Sequence, residues 1–198
     1  MPFVFKRLAL LLSIAAAFGA DKDSKFTAQP ASSYPCRQSI SQVTVAVDPV
    51  VSDEKAKTAF GKHNPYNYGI LPILVVIQND SSKTMRIDQL QIQYIGLRRT
   101  RIDFTPAKDI RFLQAPRRPD VMSGPSGKPK ILKHKNPLEE WEIEGRAFAA
   151  RMLPPGQSAS GFFYFQTGFQ KGSQLYLTGI KEADSGKELF YYEIPLAE

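Results

Sequence analysis

Ile73-Leu74-Val75-Val76-Ile77 is the run that most limits what this chain can become. Five apolar residues in succession, four of them β-branched, sit inside residues 70–78, a stretch too short for a lone helix and suited to a strand buried on both faces. Pro72 lacks an amide donor, so it marks the start of that strand or an unpaired position in it. Gly161-Phe162-Phe163-Tyr164-Phe165 has a similar character. Its four rings must point to both faces of a sheet in the middle of the core.

Other segments alternate. In residues 40–47, Val43, Val45 and Val47 interleave with Gln42, Thr44 and Ala46, which predicts a strand with one buried face, toward an edge or on an outer sheet. The turn formers of residues 79–84 lead to Leu90, Ile92 and Tyr94 alternating with glutamines, a pattern that predicts a hairpin. Ile87 has the wrong parity for that face, so an irregular entry is expected near Asp88. Ile102 and Phe104 continue the alternation as far as Pro106. Residues 174–180 and 188–195, separated by a turn that includes Asp184-Ser185-Gly186, should form a C-terminal hairpin.

Helical signals are few. Residues 53–62 suit a short helical turn, and residues 61–69 read as a loop. Asn136-Pro137-Leu138-Glu139 has the grammar of a helix start, predicting a short helix to Glu144 and then a strand over residues 146–153. Eight short strand candidates without βαβ alternation predict an all-β fold, an immunoglobulin-like antiparallel β-sandwich with one short helix and a long basic loop. The string Ile70-Leu71-Pro72-Ile73-Leu74-Val75-Val76-Ile77-Gln78-Asn79-Asp80, followed much later by Leu153-Pro154-Pro155-Gly156 and the aromatic strand, resembles secreted bacterial Ig-like β-sandwich domains. In those domains a strand ending in Asn precedes a proline-glycine turn into a core strand. The resemblance implies a fold and no activity.

Lys6 and Arg7 precede an uncharged apolar run from Leu8 to Ala20 that stops at Asp21. That layout predicts a signal peptide over residues 1–20, since its thirteen apolar residues fall short of the about 20 that a spanning helix needs. The expected product is exported, periplasmic or extracellular, with a flexible N-terminal arm at 21–39 and one domain at 40–198. Cys36 is the only cysteine, so no internal disulfide can form. It is expected either as a small buried apolar residue or as one half of an intermolecular bridge.

The full chain carries +7, and +5 once Lys6 and Arg7 leave with the leader. Residues 98–135 hold eleven Lys and Arg against three Asp, a net +8, so the rest of the processed chain carries −3. Arg98, Arg99, Arg101, Arg111, Arg117, Arg118, Lys128, Lys130, Lys133 and Lys135 form the strongest constellation in the sequence. Guanidinium forks match phosphate and carboxylate, so the expected partner is an anionic envelope component or an acidic protein surface. Nucleic acid fits an exported protein poorly. The competing reading is a loop whose charges only keep it soluble.

His63-Asn64-Pro65-Tyr66-Asn67-Tyr68-Gly69 adds a second candidate, because Tyr66 and Tyr68 on a loop offer rigid contact area. Tyrosines in such a place also close the end of a sandwich core. Catalytic chemistry finds less purchase. His63, His134 and Cys36 lack the paired spacing of a zinc site, and no Gly-x-Ser-x-Gly elbow is present, so neither metal nor cofactor is expected. Glu139, Glu140, Glu142 and Glu144 could supply the carboxylate pair of a glycoside hydrolase, against the simpler reading of a solvated helix face. The sequence therefore favours a non-catalytic binding or assembly module, with the hydrolase as the alternative.

Overall fold

The computed structural model describes residues 26–62, 64–113, 120–123, 129–132, 136–138 and 141–197, the two short strands between 120 and 132 as backbone. Its strands are β1 (Arg37–Ile40), β2 (Val43–Pro49), β3 (Leu71–Asn79), β4 (Met85–Arg86), β5 (Gln91–Ile95), β6 (Arg101–Asp103), β7 (Asp120–Ser123), β8 (Pro129–Leu132), β9 (Met152–Leu153), β10 (Ser158–Phe165), β11 (Gln174–Thr178), β12 (Lys181–Glu182) and β13 (Tyr192–Pro195). Its helices are α1 (Asp53–Phe60), α2 (Ala107–Ile110) and α3 (Trp141–Gly145). The fold is mostly β and antiparallel. One four-stranded sheet has the order β1-β2-β3-β10 and a second β13-β11-β5-β6. A small sheet β12-β4-β9 and the hairpin β7-β8 complete the pairing.

The continuous apolar runs explain the layering. Along β3, Leu71, Ile73, Val75 and Ile77 face a core shared with Ile92, Tyr94, Leu175, Leu177, Tyr192 and Ile194 of the second sheet. Leu74 and Val76 point the other way, into a second core with Ala56, Ala59 and Phe60 of α1, Ile110 of α2 and Ile143 of α3. The rings of β10 divide likewise, Phe163 and Phe165 into the first core, Phe162 and Tyr164 into the second. The first sheet is thus covered on both faces, as its sequence requires. Helix α1 is set by local chemistry: the Ser52 side chain accepts the Lys55 N–H at 3.3 Å, Asp53 and Glu54 occupy the first turn, and the helix stops at Gly61 with φ 74°.

Several expectations need correction. The arm expected at 21–39 is part of the fold from Phe26 onward: Phe26 packs on Phe162 with ring centroids 5.2 Å apart, Ala31 is buried, and β1 pairs with β2. Strand β2 is therefore interior. Ser41 and Gln42, with φ of 49° and 62°, form a two-residue hairpin between β1 and β2 that the sequence hides, because no Asn-Gly marks it. Residues 79–94 are not a hairpin, since β3 and β5 belong to different sheets and β4 lies between them. The irregular entry near Asp88 does occur, with Ile87 buried before β5 begins.

The side chain that redirects this crossing is Asn79, fully buried. Its Nδ2 donates to the carbonyls of Lys83 at 2.8 Å and Leu153 at 2.9 Å, and its Oδ1 accepts from the N–H and hydroxyl of Ser81. The Gly156 N–H donates to the Asn79 carbonyl at 2.7 Å. The strand-ending Asn and the distant proline-glycine turn are thus joined directly. The strand expected at 146–153 reduces to β9, preceded by a single bridge from Ala147 to Phe162. Within the long basic loop Ile110 of α2 docks in the second core, and β7 pairs with β8, a pairing that was not expected there. More than one short helix is present, and these helices supply the cover over the first sheet.

Candidate functional site

Arg98 and Arg99 occupy the tight turn from β5 to β6, both exposed. The turn is held by Gly96 N–H to Thr100 O at 3.0 Å and Arg99 N–H to Gly96 O at 2.9 Å, with Arg99 in the left-handed region at φ 58°. Gln170, in the loop from β10 to β11, anchors it from the side by accepting the Leu97 N–H at 3.1 Å. The same loop reaches the tyrosine segment: the Phe169 N–H donates to Tyr66 Oη at 3.2 Å, and the Gln170 N–H donates to Tyr94 Oη at 2.9 Å. One loop therefore braces both the arginine turn and Tyr66, which are distant in sequence.

Within that arrangement the two tyrosines differ. Tyr66 is half-buried against the core and closes its end, while Tyr68 lies at the surface. Arg101 stands farther along edge strand β6, its guanidinium 5.3 Å from the Tyr176 ring centroid and donating to Gln93 Oε1 at 3.2 Å. Tyr176 stacks in turn on Tyr191 at 5.4 Å. Arg111 lies elsewhere, capping α2 over the first sheet, where its guanidinium covers the Phe112 ring at 4.9 Å. Lys130 is on β8, opposite Met122. Arg117, Arg118, Lys128, Lys133 and Lys135 lie outside the described residues, as do His63, His134, Glu139 and Glu140.

A recess of about 580 Å³ adjoins the tyrosine turn, lined by Asp53, Lys57, Gly61, Lys62, Asn64 and Asn67. Asp53 Oδ1 accepts from Asn64 Nδ2 at 2.9 Å and Asn67 Nδ2 at 3.2 Å, and these two bonds hold its carboxyl below the ordinary aspartate range. Asn64 also caps its own turn by accepting the Tyr66 N–H. The cluster thus fixes the tyrosine turn onto α1. Of the glutamates, Glu142 is half-buried near Gly61 and Glu144 is exposed. No group of three His, Cys, Asp or Glu side chains able to hold a metal occurs among the described residues. No described helix is long and apolar enough to cross a membrane.

The sequence reading gave Phe112, Leu113 and Trp141 no site role, and all three are exposed. Trp141 keeps helical spacing with Leu138 and Gly145, a pattern that normally marks an inward face. The signal that could have found it is the row of glutamates around it.

No protein-family model matches the chain, and no curated protein matches it in sequence. Among solved structures it is similar to a functionally unknown protein from Listeria monocytogenes EGD-e, with a TM-score of 0.34 and 12% identity over 81% of this chain and 82% of that one. A likeness at that level carries no argument about either fold or function.

Proposed function

We propose that this chain is an exported, non-catalytic binding or assembly module, an immunoglobulin-like sandwich that recognises an anionic envelope component or an acidic protein surface through its basic segment. The strand order supports the architecture. Taking β2, β3, β5, β6, β10, β11 and β13 as successive strands, the first, second and fifth share one sheet, and the third, fourth, sixth and seventh share the other, the distribution of an immunoglobulin-like sandwich with one added edge strand. Export rests on the leader-like residues 1–20, whose removal leaves the basic segment as the dominant positive feature.

The observation that carries the binding reading is that one loop braces both turns, Gln170 accepting from Leu97 beside the exposed Arg98 and Arg99, and Phe169 donating to Tyr66. Exposed guanidinium groups on a braced turn present a low-entropy docking point for an anion. Loops at the ends of a rigid sandwich are the usual place for recognition. The hydrolase alternative gains nothing from the described residues, because Glu142 and Glu144 do not line the recess beside Asp53. The test replaces Arg98, Arg99, Arg117, Arg118, Lys128, Lys130, Lys133 and Lys135 with serine and measures association with isolated envelope material. Loss of association with unchanged thermal unfolding is expected. Undiminished association contradicts the reading.

A further inference from the structure

Residues at every fourth position of a helix share a face, so Asp53, Lys57 and Gly61 follow one side of α1 to its end. The turn after the helix stands opposite that face. Asn64, only 8% exposed, begins this turn by accepting the Tyr66 N–H, and the left-handed Gly69 ends it at φ 81°. Between the two walls lies the recess of about 580 Å³, a volume within the range of small-ligand sites. The bonds inside it leave particular atoms over. Asn64 and Asn67 both donate to Asp53 Oδ1, at 2.9 and 3.2 Å, so Asp53 Oδ2 and Asn67 Oδ1 remain as acceptors on adjoining groups, without a partner among the described residues. Lys57 and Lys62 line the same recess, and neither ammonium makes an ion pair with a described residue. Glu54 and Glu142 do not line it, and the charge of Glu142 is opposed by Arg146.

We infer that this recess binds an acidic sugar, a ring carrying both hydroxyl groups and a carboxylate. Two ammonium groups against one carboxylate make the recess positive, which selects an anion over a neutral sugar. Asp53 narrows the choice. An ionised carboxylate only accepts hydrogen bonds, so it repels a bare anion and calls for a donor, as Asn67 Oδ1 also does. A metal ion fits no better, because both ammonium groups repel it and no three ligands converge among the described residues. Neighbouring hydroxyls of a sugar ring supply two donors on one side, while its carboxylate takes the charge-assisted bonds that Lys57 and Lys62 offer. An acidic peptide brings the carboxylate but only one backbone donor per residue. None of these residues lies in 98–135, so the site does not depend on the basic segment.

Residues 21–198, which hold every described element, are labelled with nitrogen-15 and titrated with glucuronate, galacturonate and mannuronate. Glucose, galactose, mannose, acetate and triglutamate are titrated in parallel. The side-chain amide signals of Asn64 and Asn67 report directly on the recess. Both should shift with at least one uronate, at an affinity about tenfold above that for its neutral parent sugar. Lys57→Gln combined with Lys62→Gln should abolish that preference and leave thermal unfolding unchanged, since both side chains are exposed. Arg98→Ser combined with Arg99→Ser should leave the preference intact. No shift with any of the three uronates overturns the inference. A shift that acetate matches marks a bare-anion site, one that triglutamate exceeds marks a peptide site, and either overturns it as well. A shift lost with the two arginines and kept without the two lysines overturns the recess while leaving the basic-segment reading standing.

Discussion

At the scale of single residues, the fold depends on positions whose surroundings leave no room for change. Gly161 lies under the chain at Ala147 and Phe148, and a Cβ there would come within 2.4 Å of the Phe148 Cα. Gly161→Ala should therefore cost about 3 kcal/mol in denaturant unfolding, since backbone must move to admit the methyl group. Asn79→Ala removes the donor to two carbonyls at a fully buried site, and a loss of about 3 kcal/mol is expected by the same measurement. Glu182 makes a pH-dependent contribution. Its carboxylate accepts from Lys83 Nζ at 2.8 Å and from the Ser185 hydroxyl, and these bonds lower its pKa from the ordinary glutamate value. The stability they add is present above the ordinary value and drains away as pH falls through the lowered one. Glu182→Gln should flatten the acid side of a plot of melting temperature against pH, and an unchanged slope there would refute the assignment.

At the scale of elements, what was legible depended on whether a signal was local. Strand β3 and the aromatic strand β10 announce burial on both faces through uninterrupted apolar runs, and both faces are covered. The β1-β2 hairpin was invisible because its turn uses Ser41 and Gln42 at positive φ, where Asn-Gly would have marked it. Replacing the pair with Asn-Gly should stabilise the protein by about 1 kcal/mol in thermal or denaturant unfolding. The turn at 79–84 misled in the opposite direction. Its residues do form a turn, but the buried Asn79 amide anchors it to Leu153, more than seventy residues away, and the chain crosses to the other sheet. Local turn chemistry does not record a tertiary hydrogen bond. Of the candidate site, exposure at Arg98 and Arg99 could be read from composition, whereas the loop at Phe169 and Gln170 that braces both their turn and Tyr66, and the surface position of Trp141, depend on packing alone.

At the scale of the whole molecule, a stretch of chain beyond the needs of a two-sheet core becomes a second core, built from α1, α2 and α3 over the first sheet. The outer face of the second sheet carries the Arg101, Tyr176 and Tyr191 stack in its place. Charge is divided as unevenly as cover, with +8 in residues 98–135 and −3 in residues 21–97 and 136–198 together. A segment that binds through that field must release its partner as salt screens it, over a Debye length of about 10 Å at 0.1 M ionic strength. The most direct measurement is thus the affinity of residues 21–198 for isolated anionic envelope material across a salt series. Affinity that falls steadily with rising salt is the predicted result, and affinity that does not change with salt would contradict the proposal that the basic segment is the binding site.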